Sequence, residues 1–249
     1  MYLTKGFLLG GRVRYSQPST GFRSGIEPVL VAACVPARAG EFVVEAGCGA
    51  GAGLLCLSAR VPGVRGLGVE QDTEVADVAR HNLVANGFAG VAVEIADVTL
   101  AELPPADHSF ANPPYYTGAG TQPPDMMRAA AKHAAPGLVS AWVRALAAPL
   151  RQRGTLTLIL AAAAVPEAVA AMDAADCRAA ALLPLWPKQG WSAKLVVVQG
   201  VRHGRGSFRL LSGIVLHKAD GRYTPEAEAV MRNGMCLSLG ELPGRHDLR

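Results

Sequence analysis

Charge is scarce in this chain: 18% of its 249 residues are Asp, Glu, Lys or Arg, while 50% are hydrophobic. Intrinsic disorder, a collagen-like helix and an extended coiled coil are excluded by that composition. Long hydrophobic runs are missing as well. A strongly apolar uncharged one, Gly154 to Pro166, ends in proline after 13 residues, whereas a membrane-spanning helix needs roughly 20. Cysteine is sparse and scattered. Cys34, Cys48, Cys56, Cys177 and Cys236 are odd in number, form no CxxC pair and come no closer than Cys48 to Cys56. Neither a zinc cage nor a disulfide framework is expected, and no other metal site; reduced thiols in a cytoplasmic protein are. The start MYLTKGFLLGGRVR lacks an apolar core followed by a small-residue cleavage site, so no secretory signal is expected. The length suits one large α/β domain, or a domain with an appendage.

The net charge of +4 is modest but segregated. Residues 1–40 carry +4, from Lys5, Arg12, Arg14, Arg23 and Arg38 against Glu27, and residues 187–222 carry +6. The remaining chain sums to −6. Such sorting points to an anionic partner, held by both ends of the chain.

Along the chain, apolar runs alternate with helical stretches. A helix is expected over Glu27–Ala37, with Pro28 in its first turn. Strands are expected at Glu41–Glu45, Val64–Glu70 and Val91–Ala96, with helices following the first two. Ser109 to Tyr116 reads as a short strand entering a rigid turn, and Asp125 to Arg153 as helix broken at Pro136-Gly137. Thr155–Leu160, Ala179–Leu185, Lys194–Val201 and Phe208–His217 read as strands, and Pro166–Ala175 as a helix. Alternation of this kind predicts an α/β fold with a parallel, doubly wound sheet, antiparallel only near its end.

Gly47-Cys48-Gly49-Ala50-Gly51-Ala52 joins the first of these buried strands to a helix. Glycines there let a ligand approach the backbone, with N–H groups and the helix N-terminus facing it. Glu70 closes the next strand and can accept two hydrogen bonds from a ribose diol, as nicotinamide and S-adenosylmethionine sites both require. Acids end three successive strands, at Glu45, Glu70 and Asp97. A carboxylate beside the glycine turn suits an α-ammonium and repels a pyrophosphate, which favours S-adenosylmethionine. Asp97 also fits a plain turn cap.

Asn112-Pro113-Pro114-Tyr115 follows the fourth strand of this series. An amide or aryl amine is a poor nucleophile because its lone pair is delocalised. The Asn112 side-chain carbonyl and the Pro113 backbone carbonyl can accept its two N–H bonds, draw the nitrogen toward a tetrahedral shape and free the pair. Consecutive prolines stiffen the turn and hold both acceptors in place. Tyr115 offers a ring for stacking an extruded base.

With VVEAGCGAGAG, GVEQD, Ala96-Asp97 and NPPYY in place, the chain resembles the class I S-adenosylmethionine-dependent N6-adenine and N5-glutamine methyltransferases. The run Gly10 to Ala33 and the stretch Leu216 to Gly234 make it similar, more narrowly, to the bacterial tRNA1(Val) adenine-N6 methyltransferase family. That resemblance implies a Rossmann-like, mostly parallel seven-stranded sheet with an antiparallel edge strand. It implies that Glu45 and Gly47, Gly49 and Gly51 cradle the methionine end of S-adenosylmethionine. Glu70, with Gln71 beside it, would hold the ribose, Asp97 the adenine amine, and Asn112 to Tyr115 the target base. Residues 1–40 would form a basic arm and helix, folding Gln17 to Glu27, with Phe22 and Arg23, over the cofactor pocket; residues 41–249 would be the methyltransferase domain. Structured RNA, tRNA above all, would be the partner, bound through residues 1–40 and 187–222 with no membrane involved. Family members commonly carry Asp where Glu27 stands and Phe where Tyr116 stands. An N5-glutamine methyltransferase acting on a translation protein is the alternative, since N-P-P-Y serves both amines. Such enzymes, as a family, carry a helical substrate domain of some length before the glycine turn, whereas the residues that precede Gly47 here are few and basic.

Overall fold

The computed structural model describes residues 2–20, 23–114 and 137–240. Two strands, β1 (Leu3–Leu8) and β2 (Val13–Pro18), form an antiparallel hairpin. Helix α1 (Glu27–Cys34) follows. Next come β3 (Phe42–Ala46), α2 (Ala52–Arg60), β4 (Arg65–Glu70), α3 (Thr73–Ala85), β5 (Val91–Ile95) and β6 (Ala106–Ala111). The later elements are α4 (Leu138–Ala147), β7 (Leu150–Ala161), α5 (Val165–Ala174), β8 (Cys177–Lys188), β9 (Leu195–Arg202), β10 (Arg209–Leu210), β11 (Ile214–His217) and α6 (Pro225–Asn233).

Strands β3 to β11 form one sheet in the order β10-β8-β9-β7-β6-β3-β4-β5, with β11 also paired to β8. Strands β3 to β7 are mutually parallel. Period-two alternation sends neighbouring residues to opposite faces: Val43, Ile159 and Val197 enter one core with α1, α2, α3 and α6. Val44, Leu158 and Val198 enter the other, with α4 and α5. The α/β, doubly wound class is therefore as expected. Two details differ. The sheet holds nine strands rather than seven, because β10 and β11 line up end to end along β8. The antiparallel strand is β9, and it lies inside the sheet between β7 and β8 rather than at its edge.

The helix expected to reach Arg153 stops earlier. Pro149 follows α4, and its carbonyl accepts from Ala106 N at 2.9 Å, which starts β7 at Leu150. Arg151 to Arg153 are strand, with Arg153 at φ 66° beside a register shift. The part of that expected helix over 125–136 lies outside the described residues. No described helix is long and apolar enough to cross a membrane.

The hairpin was not foreseen, since β1 is mostly exposed and shows no apolar alternation. It is anchored by two amides one turn apart on α3. Asn86 accepts from Arg14 N and donates to Arg14 O, both at 2.8 Å. Asn82 accepts from Ser16 N at 2.9 Å and donates to Ser16 O at 2.7 Å and to Ala50 O at 2.9 Å. Four helical residues rise about 6 Å and two strand residues about 6.7 Å, so the two ladders match. Asn82 thereby ties β2 to the glycine turn, and the chain leaves β2 at the end of α3 nearest that turn. Replacing Asn82, 1% exposed, by Ala leaves three buried backbone groups unpaired, so Asn82→Ala should lose on the order of 3 kcal/mol of stability. Equilibrium denaturation measures this, and Asn86→Ala at the exposed end should cost about a third as much.

Candidate active site

Strand order reverses at β3, whose neighbours β4 and β6 lie on either side. Open α/β sheets bind ligands in the crevice outside the strand ends at such a reversal. Ala46 pairs with Ala111, so Gly47 and Asn112 leave the sheet side by side across this crevice.

Gly47, Gly49 and Gly51 take φ of 58°, 56° and 86°, the left-handed region that side chains disfavour. Gly51 N donates to Cys48 O at 2.9 Å, and Cys48 N donates to Val69 O at 3.1 Å, which holds the turn against the end of β4. The N-cap of α2 is Gly51, which has no side chain to offer. Glu45 supplies the cap instead: its Oε2 accepts from Leu54 N at 2.8 Å, at the third position of the helix. Gly53 makes room for this carboxylate, which a Cβ there would strike.

Glu45 is 4% exposed. Burial, opposed by the Leu54 N–H and reinforced by the charge of Glu70, pushes its pKa up to about 8. The Cys48 thiol beside it is also raised, by burial and then by Glu45 and Glu70. Glu70 bridges two loops, its Oε2 accepting from Gly49 N at 3.0 Å and its Oε1 from Asp72 N at 2.9 Å. Gln71 is exposed beside it. Asp97 lies exposed just past the end of β5, and its Oδ1 accepts from Thr99 N at 2.8 Å and Thr99 Oγ1 at 2.7 Å. It is thus a turn cap, whatever else it contacts.

Asn112, Pro113 and Pro114 directly follow β6, with Pro113 buried. The Asn112 Oδ1 is buried and has no hydrogen-bond partner among the described residues. Tyr115, Tyr116 and Phe22 lie outside the described residues. Arg23 is exposed and donates from Nη2 to Thr4 Oγ1 at 3.4 Å, so its recorded bond ties it to the hairpin rather than to the glycine turn. Among the described residues, no group of three His, Cys, Asp or Glu is arranged to hold a metal.

One aromatic escaped notice in the sequence. Trp142 of α4 lies over the glycine turn, its Cη2 2.7 Å from where a Cβ on Gly47 would stand. Its position on an apolar helix face reads as ordinary core, and nothing local marks it as a wall of this crevice.

The methyltransferase small domain family matches residues 28–164. The chain belongs to that family. Solved structures agree on the fold of this methyltransferase. A predicted O-methyltransferase from Agrobacterium tumefaciens is 24% identical with a TM-score of 0.71, over 85% of this chain and 98% of that one. A precorrin-6y C5,15-methyltransferase from Geobacter metallireducens is 13% identical with a TM-score of 0.53, over 76% and 94%. The putative methyltransferase complexed with the Trm112 activator of Haloferax volcanii is 17% identical with a TM-score of 0.51, over 69% and 87%. Comparison with curated proteins gives no match. Class I methyltransferases have this Rossmann-like sheet, and the glycine turn and acid-ended strands of the methyltransferase occupy its ligand crevice.

The raised pKa of Glu45 has a stability signature. Between its ordinary value of 4.5 and about 8, the folded chain keeps a proton that the unfolded chain has released. This contribution to stability is therefore full below that window and is lost as pH rises through it. Glu45→Gln should flatten the decline, as denaturation midpoints of both proteins near the bottom and top of the window would show.

Proposed function

We propose that this methyltransferase transfers a methyl group from S-adenosylmethionine to the exocyclic N6 amine of an adenine in RNA, with tRNA the foremost substrate. The observation that carries the reading is the buried, unpartnered Asn112 Oδ1 at the mouth of the crevice. A buried carbonyl without a donor costs roughly 1–3 kcal/mol, and proteins keep such atoms where a ligand completes them. An amine hydrogen is the complement it lacks.

The residues present fit the cofactor. A Cβ on Gly49 would meet nothing within 4 Å, so the backbone is open to a ligand there. Glu45, held short of ionisation by burial, gains from a cationic α-ammonium. Glu70 keeps lone pairs for a ribose diol beyond those given to Gly49 and Asp72, and Asp97 stands one strand further along for the adenine amine. Gln17 to Glu27, with Arg23, form the cover over this pocket. S-adenosylmethionine supplies a sulfonium methyl that any freed amine lone pair can take.

The protein's share of the chemistry lies in Asn112 to Tyr115. Asn112 Oδ1 accepts one N6 hydrogen and the Pro113 carbonyl the other, so the nitrogen loses conjugation with the ring as its pair turns toward the methyl. Pro113 and Pro114 keep both acceptors fixed, and no reorganisation is needed at the moment of transfer. Tyr115 supplies a face for the base. The amine becomes an ammonium as the N–C bond forms and then releases its proton to water, so no side chain of special basicity is required.

Asn112→Ala should lower kcat by on the order of 100-fold or more, while S-adenosylmethionine affinity stays within a few-fold. Single-turnover kinetics on bulk tRNA with calorimetry of the cofactor checks this, and near-normal turnover refutes the acceptor role. Label recovered on the glutamine of a release factor, with adenine unlabelled, would replace the RNA reading by the glutamine one. Glu70→Ala should weaken cofactor binding by about 1.5–3 kcal/mol, the range for hydrogen bonds to a charged group; unchanged affinity by calorimetry would refute the ribose assignment.

A further inference from the structure

The basic segment 187–222 is divided by the sheet between two opposite edges. Ala161 of β7 and Leu185 of β8 both lie level with Leu195 of β9, and Leu158 of β7 lies level with Ala111. Counting along the strands, Leu185 stands at the height of Pro114. Lys188 and the connection to Lys194 therefore rise from the same rim as the Asn112 turn, three strand spacings away, or about 14 Å across. Strand β11 runs parallel to β8 and sets His217 opposite Lys188. Lys218 to Arg222 consequently emerge from this rim too.

Cations and aromatic rings are interleaved there. Trp191 is 57% exposed, with the Lys188 ammonium 6.0 Å from its ring centre. The Lys188 Nζ also donates to Ala219 O at 3.0 Å, joining the two connections. His217 and Tyr223 stack, with ring centroids 5.0 Å apart and planes inclined by 20°. Between the connections runs a groove lined by Trp186, Gln189, Gly190, Trp191, Ser192 and Val215. Arg222 pairs with Asp220, but no ion pair involves the exposed Lys194 or Lys218 among the described residues.

The opposite edge is different. Arg178 pairs with Asp173 and Asp176, and His203 also pairs with Asp176. Arg202 donates to the carbonyl of Ala175. Most of its cations are thus already compensated within the chain, with Arg205 left exposed.

We propose that the rim formed by Lys188, Trp191, Lys194, His217, Lys218 and Tyr223 is the surface that holds the RNA strand flanking the target adenine. This rests on the RNA reading above. Uncompensated ammonium groups meet phosphates, while exposed rings stack bases without regard to sequence, the combination by which single strands are held. The opposite edge takes no part.

Affinity for bulk tRNA and for a single-stranded RNA oligonucleotide, measured by anisotropy across a salt series with cofactor absent, tests the assignment. The double variant Lys194→Glu/Lys218→Glu should weaken binding at least tenfold and reduce the slope of log affinity against log salt by about two. Trp191→Ala should weaken it about five-fold or more at every salt concentration and leave the slope unchanged. Arg205→Glu should stay within two- to three-fold of the parent, and matching thermal melts confirm that all variants fold. Rim variants that bind like the parent, or Arg205→Glu losing as much as they do, would overturn the proposal. A parent with no salt-dependent RNA affinity, or one binding a release factor through this rim instead, would also overturn it. RNA affinity lost in the rim variants, in a protein that leaves adenine unmethylated, would support the surface and overturn only the N6 reading.

Discussion

A buried carboxylate at the end of a strand holds this site together. Glu45 caps α2 because Gly51, which should do so, has no side chain, and the turn needs glycine at Gly47, Gly49 and Gly51 to reverse direction within so few residues. The cap that most helices draw from the adjacent residue here comes from the preceding strand, across the turn. Turn, strand end and helix N-terminus are therefore one unit. Glu70 extends that unit to the next strand by accepting from Gly49 N. The cost is a second acid near the first, and burial with that neighbour keeps the Glu45 proton in place. A cation entering the crevice would relieve the tension that the fold creates, which is why an ammonium-bearing ligand suits this turn and a phosphate does not.

Asn112 presents the complementary situation on the other side of the reversal point. Glu45 has found its donor in the chain, whereas Asn112 Oδ1 has none among the described residues. Two acceptors at the ends of adjacent strands, one satisfied and one waiting, give the crevice its polarity. The prolines that follow Asn112 prevent the turn from collapsing to satisfy the free oxygen from within. The N-terminal hairpin, clamped through Asn82 to Ala50 O, joins the same unit from the side of α3. Movements of the hairpin and of the glycine turn are consequently coupled through one amide.

Much of this was legible beforehand, and the reasons differ by residue. Glycines in the left-handed region, acids ending strands and an Asn-Pro-Pro turn are local demands of the backbone, so their chemistry is visible in a few consecutive letters. Helix α3 was placed within a residue at each end because Asp72 caps it, accepting from Val75 N at 3.0 Å, and Asn86 closes it. Arg151 to Arg153 were misplaced because a charged, non-alternating triplet takes the state of whatever follows Pro149, and β6 supplied a pairing partner at a distance. Trp142 was missed because only the packing of α4 on Gly47 distinguishes it from core.

By itself the amino-acid sequence determined the order of strands and helices, the glycine turn and the acceptor turn, since each depends on neighbours within a few residues. Only the tertiary structure decided that Gly47 and Asn112 leave the sheet side by side, that Asn82 docks the hairpin, and that the basic C-terminal segment divides between two edges. Those facts rest on strand register and on the antiparallel insertion of β9, which reverses the chain between Lys188 and Arg202. Charge counted along a sequence is blind to that reversal, because residues adjacent in number come to stand at opposite ends of the same sheet.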